Sequence, residues 1–252
     1  MATNSSYPMS RERYLILALL FILAFMAWAI LLQQYAISDK QAMGITAGMG
    51  ASLFIAIWIV MMVAVMFPTA APMILMFARI YSDKKQHKQP FIPTWVFVSS
   101  YLLVWTLFGV LAYAVALEAE ELGKQSIWYM ENAYRIGGGV IVLAGLYQLS
   151  PLKYSCLSKC RSPMNFILNH WRDGYGGSFR MGFEHGLYCL GCCWLLFIIL
   201  FPLGVMNVAA MAVITILIYA EKSLALGHQF AKIAAVAMII YGTQIIFIPG
   251  FI

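Results

Sequence analysis

The sequence predicts an all-α protein, a polytopic bundle of transmembrane helices. Of its 252 residues, 63% are hydrophobic and 10% are charged, whereas soluble domains average about 45–50% apolar and about 25% charged residues. Several apolar runs approach the ~20 residues that a helix needs to cross a bilayer, and no run shows the recurrent period of two that marks β-barrel strands. We therefore exclude a water-soluble enzyme and expect one integral membrane domain over residues 1–252.

Seven segments have the apolar character of membrane-spanning helices. The first follows two arginines but is too long for the apolar region of a signal peptide, so we interpret it as a retained anchor. The fifth and sixth are short and are separated only by Pro202-Leu203-Gly204, which favours a helical hairpin turn. About seven spans are expected, with six or eight as the alternatives. The segments are Tyr14 to Ile37, Ala51 to Ala78, Trp95 to Leu117, Ala133 to Ser150, Leu187 to Phe201, Met206 to Ala220 and Ala231 to Ile248.

The distribution of lysine and arginine predicts the orientation. With the N-terminus inside, thirteen of the sixteen basic residues fall in inner segments, and Lys40, Lys124 and Arg135 fall outside. Cytoplasmic loops carry such an excess of basic residues. We therefore expect a cytoplasmic N-terminus, a location in the cytoplasmic (inner) membrane and a long basic cytoplasmic loop over residues 151–186. The topology accounts for the net charge of +6, so the charge indicates no nucleic-acid partner.

All five cysteines lie within or just after this basic loop. They form two groups, Cys156-Leu-Ser-Lys-Cys160 and Cys189-Leu-Gly-Cys192-Cys193, and a histidine precedes the second group by one helical turn. Residues three or four apart share a helix face, so each group can present its sulfur atoms together. The predicted topology places both on the reducing side of the membrane, where structural disulfides are disfavoured. The candidate metal ligands are Cys156, Cys160, His185, Cys189, Cys192 and Cys193.

Thiolate and imidazole ligands suit Cu(I) or Zn(II) better than hard cations, and copper is the favoured ion with zinc as the alternative. The second span adds Met62, Met66 and Met73, whose thioethers bind Cu(I) and are poor ligands for most other ions. These methionines flank Pro68 and Pro72, which remove backbone donors and are expected to kink or break the helix. The alternative, structural interpretation is that these methionines fill gaps between helices.

Other interpretations of these residues stay open. Free cysteines also serve as small hydrophobic residues in helix packing, and a redox dithiol of the oxidative-folding type would have to face the outer side. Glu221 is a further candidate ligand, although pairing with Lys222 or a loop arginine is the simpler interpretation. No P-loop, G-x-S-x-G or H-E-x-x-H motif is present, so the sequence does not predict an enzyme.

Three stretches carry a family pattern. They are Met61-Met62-Val63-Ala64-Val65-Met66-Phe67-Pro68 with Pro72, then Tyr147 to Lys153 leading into Cys156, Cys160, Arg161 and Pro163, and then Gly182 to Trp194. Met206 and Glu221-Lys222 also fit. Together they resemble an uncharacterised bacterial and archaeal family of predicted metal-binding integral membrane proteins, over most of the chain from the second to the sixth span. The resemblance implies a membrane protein that binds a metal, and it implies neither the ion nor a reaction. Val65 stands where the family pattern often has a further methionine.

These features predict a metal-handling integral membrane protein that binds or passes copper through a Cys/His cluster at the cytoplasmic membrane edge. Its expected partners are the lipid bilayer and either other membrane subunits or a metal donor or acceptor protein. Two alternatives come from other classes. One is an accessory subunit of a larger membrane metalloenzyme complex, in which the thiols are incidental. The other is a small-solute transporter that uses the proline-containing second helix as a gate.

Overall fold

The computed structural model describes residues 11–37, 46, 48–85 and 91–248. Within these residues the chain forms helices and no strand, which confirms the predicted all-α class. Lys40 and Lys88, which contribute to the predicted charge bias, lie outside the described residues. The helices are α1 (Arg11–Ile37), α2 (Ala51–Lys85), α3 (Phe91–Gln125), α4 (Ile127–Gln148), α5 (Pro151–Arg161), α6 (Pro163–His170), α7 (Gly174–Ile198), α8 (Leu200–Leu203), α9 (Val208–Ser223) and α10 (Gly227–Phe247).

Five helical segments of the described chain are long and apolar enough to cross a membrane. A sixth candidate is bent, because α4 and α5 meet at an angle of 62°. α9 has 16 residues, fewer than the ~20 that a straight span needs. Each of the seven predicted segments corresponds to a helix, but length and composition support five or six spans, so the count of seven stays a prediction. The five are Arg11–Ile37, Ala51–Ser82, Phe91–Gln125, Gly174–Leu203 and Gly227–Phe247.

The segment over residues 151–186, expected as a loop between spans, is mostly helical. It contains α5, α6 and the first half of α7. α7 begins at Gly174, well before the start predicted at Leu187. The prediction was late because the first turns of α7 carry polar side chains, which lower the local hydropathy. One such pair, Arg180 and Glu184, forms an i,i+4 ion pair with an Nε–Oε1 distance of 3.0 Å. A prediction based on apolar runs therefore missed the first half of α7, because it contains charged residues.

α2 continues as one helix through Pro68 and Pro72, so the predicted break does not occur there. The prolines lack the amide protons that would bond to the carbonyls of Ala64 and Pro68. The surrounding residues are buried against neighbouring helices, and such packing lets membrane helices tolerate internal prolines. The Thr69 hydroxyl also donates to the carbonyl of Met66 at 3.1 Å, which adds a local hydrogen bond beside the first proline.

Glycines allow two helix pairs to approach closely. A Cβ on Gly182 of α7 would collide with Ser100 and Phe97 of α3, and a Cβ on Gly138 of α4 would lie 2.8 Å from the carbonyl oxygen of Gly242 of α10. Small residues at such crossings are typical of membrane helix interfaces. The contact between α3 and α7 matters most here, because it fixes the helix that carries three of the five cysteines.

α5 and α6 fold back against the end of the bundle where α2 and α9 finish and α7 begins. α5 packs on α7, and α6 packs on α2. Trp171, which follows α6, packs against two aromatic residues of α2, with its ring centroid 6.1 Å from those of both Phe77 and Tyr81. This aromatic contact anchors the two short helices over the end of the bundle.

A buried ion pair joins α5 to α9. The Lys153 Nζ atom lies 2.6 Å from Glu221 Oε2, and Gln148 donates to Glu221 Oε1 at 2.9 Å. Arg161 donates to the carbonyls of Glu221 and Leu224 at 3.0 and 2.7 Å, at the C-terminal end of α9, where positive charge is favoured. These bonds hold the C-terminal ends of α5 and α9 together, and these ends carry Cys160 and Lys222 near the cysteines of α7.

We expect the Glu221→Gln variant to lose stability. It leaves the Lys153 ammonium buried without its carboxylate, and removal of one partner of a buried ion pair costs about 3–5 kcal/mol. Thermal or denaturant unfolding of the purified protein in detergent, followed by circular dichroism, measures this loss. The matched control is Lys124→Gln, which breaks an exposed pair with Glu121 and should leave stability unchanged. Equal stability of the two variants would contradict a structural role for the buried pair.

Candidate metal centre

Three thiols of α7 converge inside the protein. The sulfur atoms of Cys189, Cys192 and Cys193 all lie within 4.8 Å of one another, and each residue is at most 1% exposed. The Cys192 and Cys193 sulfurs are 3.2 Å apart. The convergence follows from helix geometry, because positions three and four after Cys189 return to the same face of a helix with 3.6 residues per turn.

Two other helices bring sulfur to the same place. Cys160, near the end of α5, is close enough to the thiols of Cys189 and Cys192 to interact with them electrostatically, but it is not one of the three cysteines whose sulfurs all lie within 4.8 Å of one another. The thioether sulfur of Met66, in the middle of α2, lies 3.9 Å from the Cys189 sulfur. The sulfur cluster, as we call Cys160, Cys189, Cys192, Cys193 and Met66, therefore draws on three helices that are far apart in sequence.

Polar groups surround the Cys189 sulfur. Lys222 of α9 donates to it with an Nζ–Sγ distance of 3.0 Å, and the Tyr101 hydroxyl of α3 lies at 3.0 Å. The Cys192 thiol donates to the carbonyl of Cys189 at 3.1 Å. An ammonium group in this position can offset the negative charge that a metal–thiolate complex brings into a buried site.

His185 lies one turn before Cys189 on α7 and is 2% exposed. Its ring stacks against Phe97 and Tyr101 of α3, with centroid distances of 5.9 and 5.4 Å. The Nδ1 atom is buried and has no hydrogen-bond partner among the described residues. The histidine is not part of the group of three mutually close thiols, although it lies one helical turn before Cys189 on α7.

A cavity of about 220 Å³ adjoins the sulfur cluster. Cys160, His185 and Lys222 line it, and so does Met73 of α2. Residues at its edge are exposed, and the cavity therefore reaches from the outside of the protein to the cluster. The complete lining is Thr69, Ala70, Pro72, Met73, Cys160, Arg161, Pro163, His185, Lys222 and Ser223.

The structure separates Cys156 from the other thiols of the predicted ligand set. Its sulfur packs against Gly191, where an added Cβ would lie 2.8 Å away. Gly191 is about 200° around the helix from Cys189, so Cys156 contacts the opposite side of α7. The i,i+4 spacing of Cys156 and Cys160 therefore does not bring both sulfurs to the cluster, because Cys156 packs against Gly191 whereas Cys160 lines the cavity beside the cluster.

Two further candidates from the sequence are placed elsewhere. Met62 is buried in the apolar core. Both carboxylate oxygens of Glu221 are engaged, one by Lys153 and the other by Gln148. Glu221 does form an ion pair, as the simpler interpretation expects, but its partner is Lys153 and not Lys222 or a loop arginine; adjacent helical residues point about 100° apart. Lys222 instead reaches the cysteines.

Sequence reasoning missed the roles of Lys222 and Tyr101. Neither residue carries a local motif that marks it, because both reach Cys189 only through the packing of α3 and α9 around α7. Helix geometry provides one signal that could have identified Lys222. Adjacent residues of a helix point in different directions. If Glu221 is buried and paired with a residue on one side of α9, Lys222 points toward a different neighbouring helix.

The chemistry of this cluster favours a soft cation. Thiolate sulfur suits both Cu(I) and Zn(II), but zinc sites use cysteine, histidine and carboxylate ligands, so the thioether of Met66 beside Cys189 favours Cu(I). The cluster offers sulfur in quantity and no carboxylate, since the nearby Glu221 is committed to Lys153 and Gln148. The donor set therefore matches copper better than zinc.

Comparison with known proteins agrees with this chemistry. A family model described as "PpoB2: Copper chaperone" matches residues 55–245, a range that includes every residue of the sulfur cluster and of the adjoining cavity. No curated protein and no solved structure shows a significant match.

Proposed function

The chain belongs to the PpoB2 copper chaperone family, and from this premise we propose that it holds Cu(I) in the sulfur cluster and passes it to an acceptor protein. One observation carries the proposal: the sulfurs of Cys189, Cys192 and Cys193 lie within 4.8 Å of one another in an apolar interior. A buried group of free thiols this tight suits a soft ion that is bound through sulfur. The copper is cargo in this proposal, since a chaperone releases what it binds.

Lys222 balances the charge of a Cu(I) complex with two thiolates. Two thiolates with Cu(I) carry a net charge of −1, which is costly in an apolar interior. The Lys222 ammonium, 3.0 Å from the Cys189 sulfur, brings the total to zero. The ion pair of Lys153 and Glu221 is internally neutral, so Lys222 supplies the charge that the copper complex lacks.

We propose further that the protein acts within a membrane, with the N-terminus and the sulfur cluster toward the cytoplasm. The five long apolar helical segments support this placement. Large apolar side chains such as Phe25 and Phe247 are 73% and 79% exposed, and an apolar surface of this kind suits contact with lipid. The cluster lies beside the last turn of α9, which carries Lys222 and which the predicted topology assigns to the inner side.

We expect the double variant Cys189→Ser, Cys192→Ser to lose most of its bound copper. Serine keeps a similar volume but replaces the soft thiolate with a hydroxyl that binds Cu(I) poorly. The measurement is the copper content of protein purified in detergent and loaded anaerobically with Cu(I), by elemental analysis and competition with a chromogenic chelator.

The matched control is Cys156→Ser. It removes the thiol that packs against Gly191, on the other side of α7, and should bind copper as the unmodified protein does. Equal copper content in all three proteins, or a loss as large in the control as in the double variant, would contradict the proposed site. Helix content by circular dichroism shows whether each variant is folded.

We expect Lys222→Gln to weaken Cu(I) binding by about ten- to a hundredfold, the range typical for residues that support metal ligands. The neutral amide leaves the copper complex with an uncompensated negative charge. Lys222→Arg keeps the charge and should retain most of the affinity. Competition with a chromogenic Cu(I) chelator gives the affinities, and an unchanged affinity in Lys222→Gln would exclude the charge-balancing role.

The membrane topology makes a separate prediction. With seven spans and a cytoplasmic N-terminus, the two ends of the chain lie on opposite sides of the membrane. A fluorescent protein that folds only inside should therefore be active when fused to the N-terminus, and an enzyme that folds only outside should be active when fused to the C-terminus. Six or eight spans would place both ends on the same side. Paired fusions with an enzyme that folds only outside and a fluorescent protein that folds only inside distinguish these arrangements.

A further inference from the structure

We propose that the cavity beside the sulfur cluster is a second, weaker Cu(I) site, a transit site through which copper enters and leaves the cluster. The inference rests on the proposed function, because it assigns a route to the same ion. The cavity has a volume of about 220 Å³. Pro72 and Ser223 at its edge are exposed, whereas Met73 and His185 deeper along its lining are buried, so the cavity leads from the surface toward the thiols.

Its lining provides soft ligands that the cluster does not use. Met73 contributes a thioether and is 1% exposed. His185 contributes an imidazole whose Nδ1 atom is buried and has no hydrogen-bond partner among the described residues. Buried polar atoms are nearly always paired, and in one neutral tautomer Nδ1 carries a free lone pair. A thioether and an imidazole nitrogen are both ligands for Cu(I).

Cys160 connects the transit site to the sulfur cluster. It lines the cavity, and it interacts electrostatically with the Cys189 and Cys192 thiols. An ion held by Met73, His185 and Cys160 can therefore gain a cluster thiolate while it still keeps Cys160. Such stepwise ligand exchange moves Cu(I) without releasing it as a free ion.

The charges around the cavity suit transit better than storage. Met73 and His185 are neutral ligands, and the cationic residues Arg161 and Lys222 also line the cavity. The ammonium of Lys222 is directed at Cys189, where it compensates thiolate charge. A cation in the cavity is therefore held less tightly than one among the thiolates, and copper that enters moves on to the cluster.

The test compares the rates of copper loading in matched variants. Met73→Leu with His185→Phe removes both ligand atoms but keeps an aliphatic side chain and a ring that can stack on Phe97 and Tyr101. We expect this double variant to take up Cu(I) from a chromogenic chelator complex more slowly by about tenfold, which corresponds to ~1.4 kcal/mol, with an equilibrium affinity close to that of the unmodified protein. The control is Met61→Leu, which alters a buried methionine of α2 outside the cavity lining.

The outcomes separate the two proposals. Loading of the double variant at the rate of the unmodified protein would overturn the transit site and leave the proposed function intact. Absence of Cu(I) binding by the unmodified protein would overturn both. A slow double variant beside a normal Met61→Leu control supports the transit site.

A second measurement does not depend on the folding of the double variant. In a variant with Cys189, Cys192 and Cys193 all replaced by serine, we expect one Cu(I) ion to bind weakly at the transit site. The X-ray absorption spectrum of this bound copper should show a nitrogen ligand. The nitrogen signal should disappear when His185→Phe is added. A spectrum without nitrogen before that change would overturn the assignment of His185.

Discussion

The structure depends on how an apolar interior accommodates a group of ionisable sulfurs. Three thiols of α7 come within 4.8 Å of one another, and charge on them is tolerable only beside a compensating cation. Lys222 provides it at 3.0 Å from Cys189. The position of α9, whose last turn carries this lysine, is therefore as important to the site as the cysteines themselves.

The rest of the architecture holds those parts in register. Gly182 lets α7 lie directly against α3, which brings the Tyr101 hydroxyl to the Cys189 sulfur. The buried pair of Lys153 and Glu221 ties α5 to α9, whose residues Cys160 and Lys222 both line the cavity beside the thiols. Each of these contacts joins elements that are distant along the chain, and together they make a preformed pocket for a soft ion.

A copper chaperone must bind its cargo tightly and still release it, and the arrangement of ligands suits both needs. The thiols are deeply buried and exclude water, whereas the adjoining cavity reaches the exposed residues Pro72 and Ser223. Cys160 lies between the two environments. In the proposed transit, the ligands change from a neutral thioether and imidazole in the cavity to thiolates in the cluster, which is the order expected for affinity that increases inward.

The sequence by itself determined the helical class and the chemistry of the site, because hydropathy and the i,i+3 and i,i+4 spacing of Cys189, Cys192 and Cys193 are properties of a single helix. It indicated the soft metal, and the family match agrees with copper. Only the tertiary structure decided which residues meet. It placed Cys160, Met66 and Lys222 at the thiols, Cys156 on the far side of α7 and Glu221 with Lys153. Spacing along one helix fixes which side chains share a face, but contacts between helices depend on how close their backbones can pack, and that is set by the whole bundle.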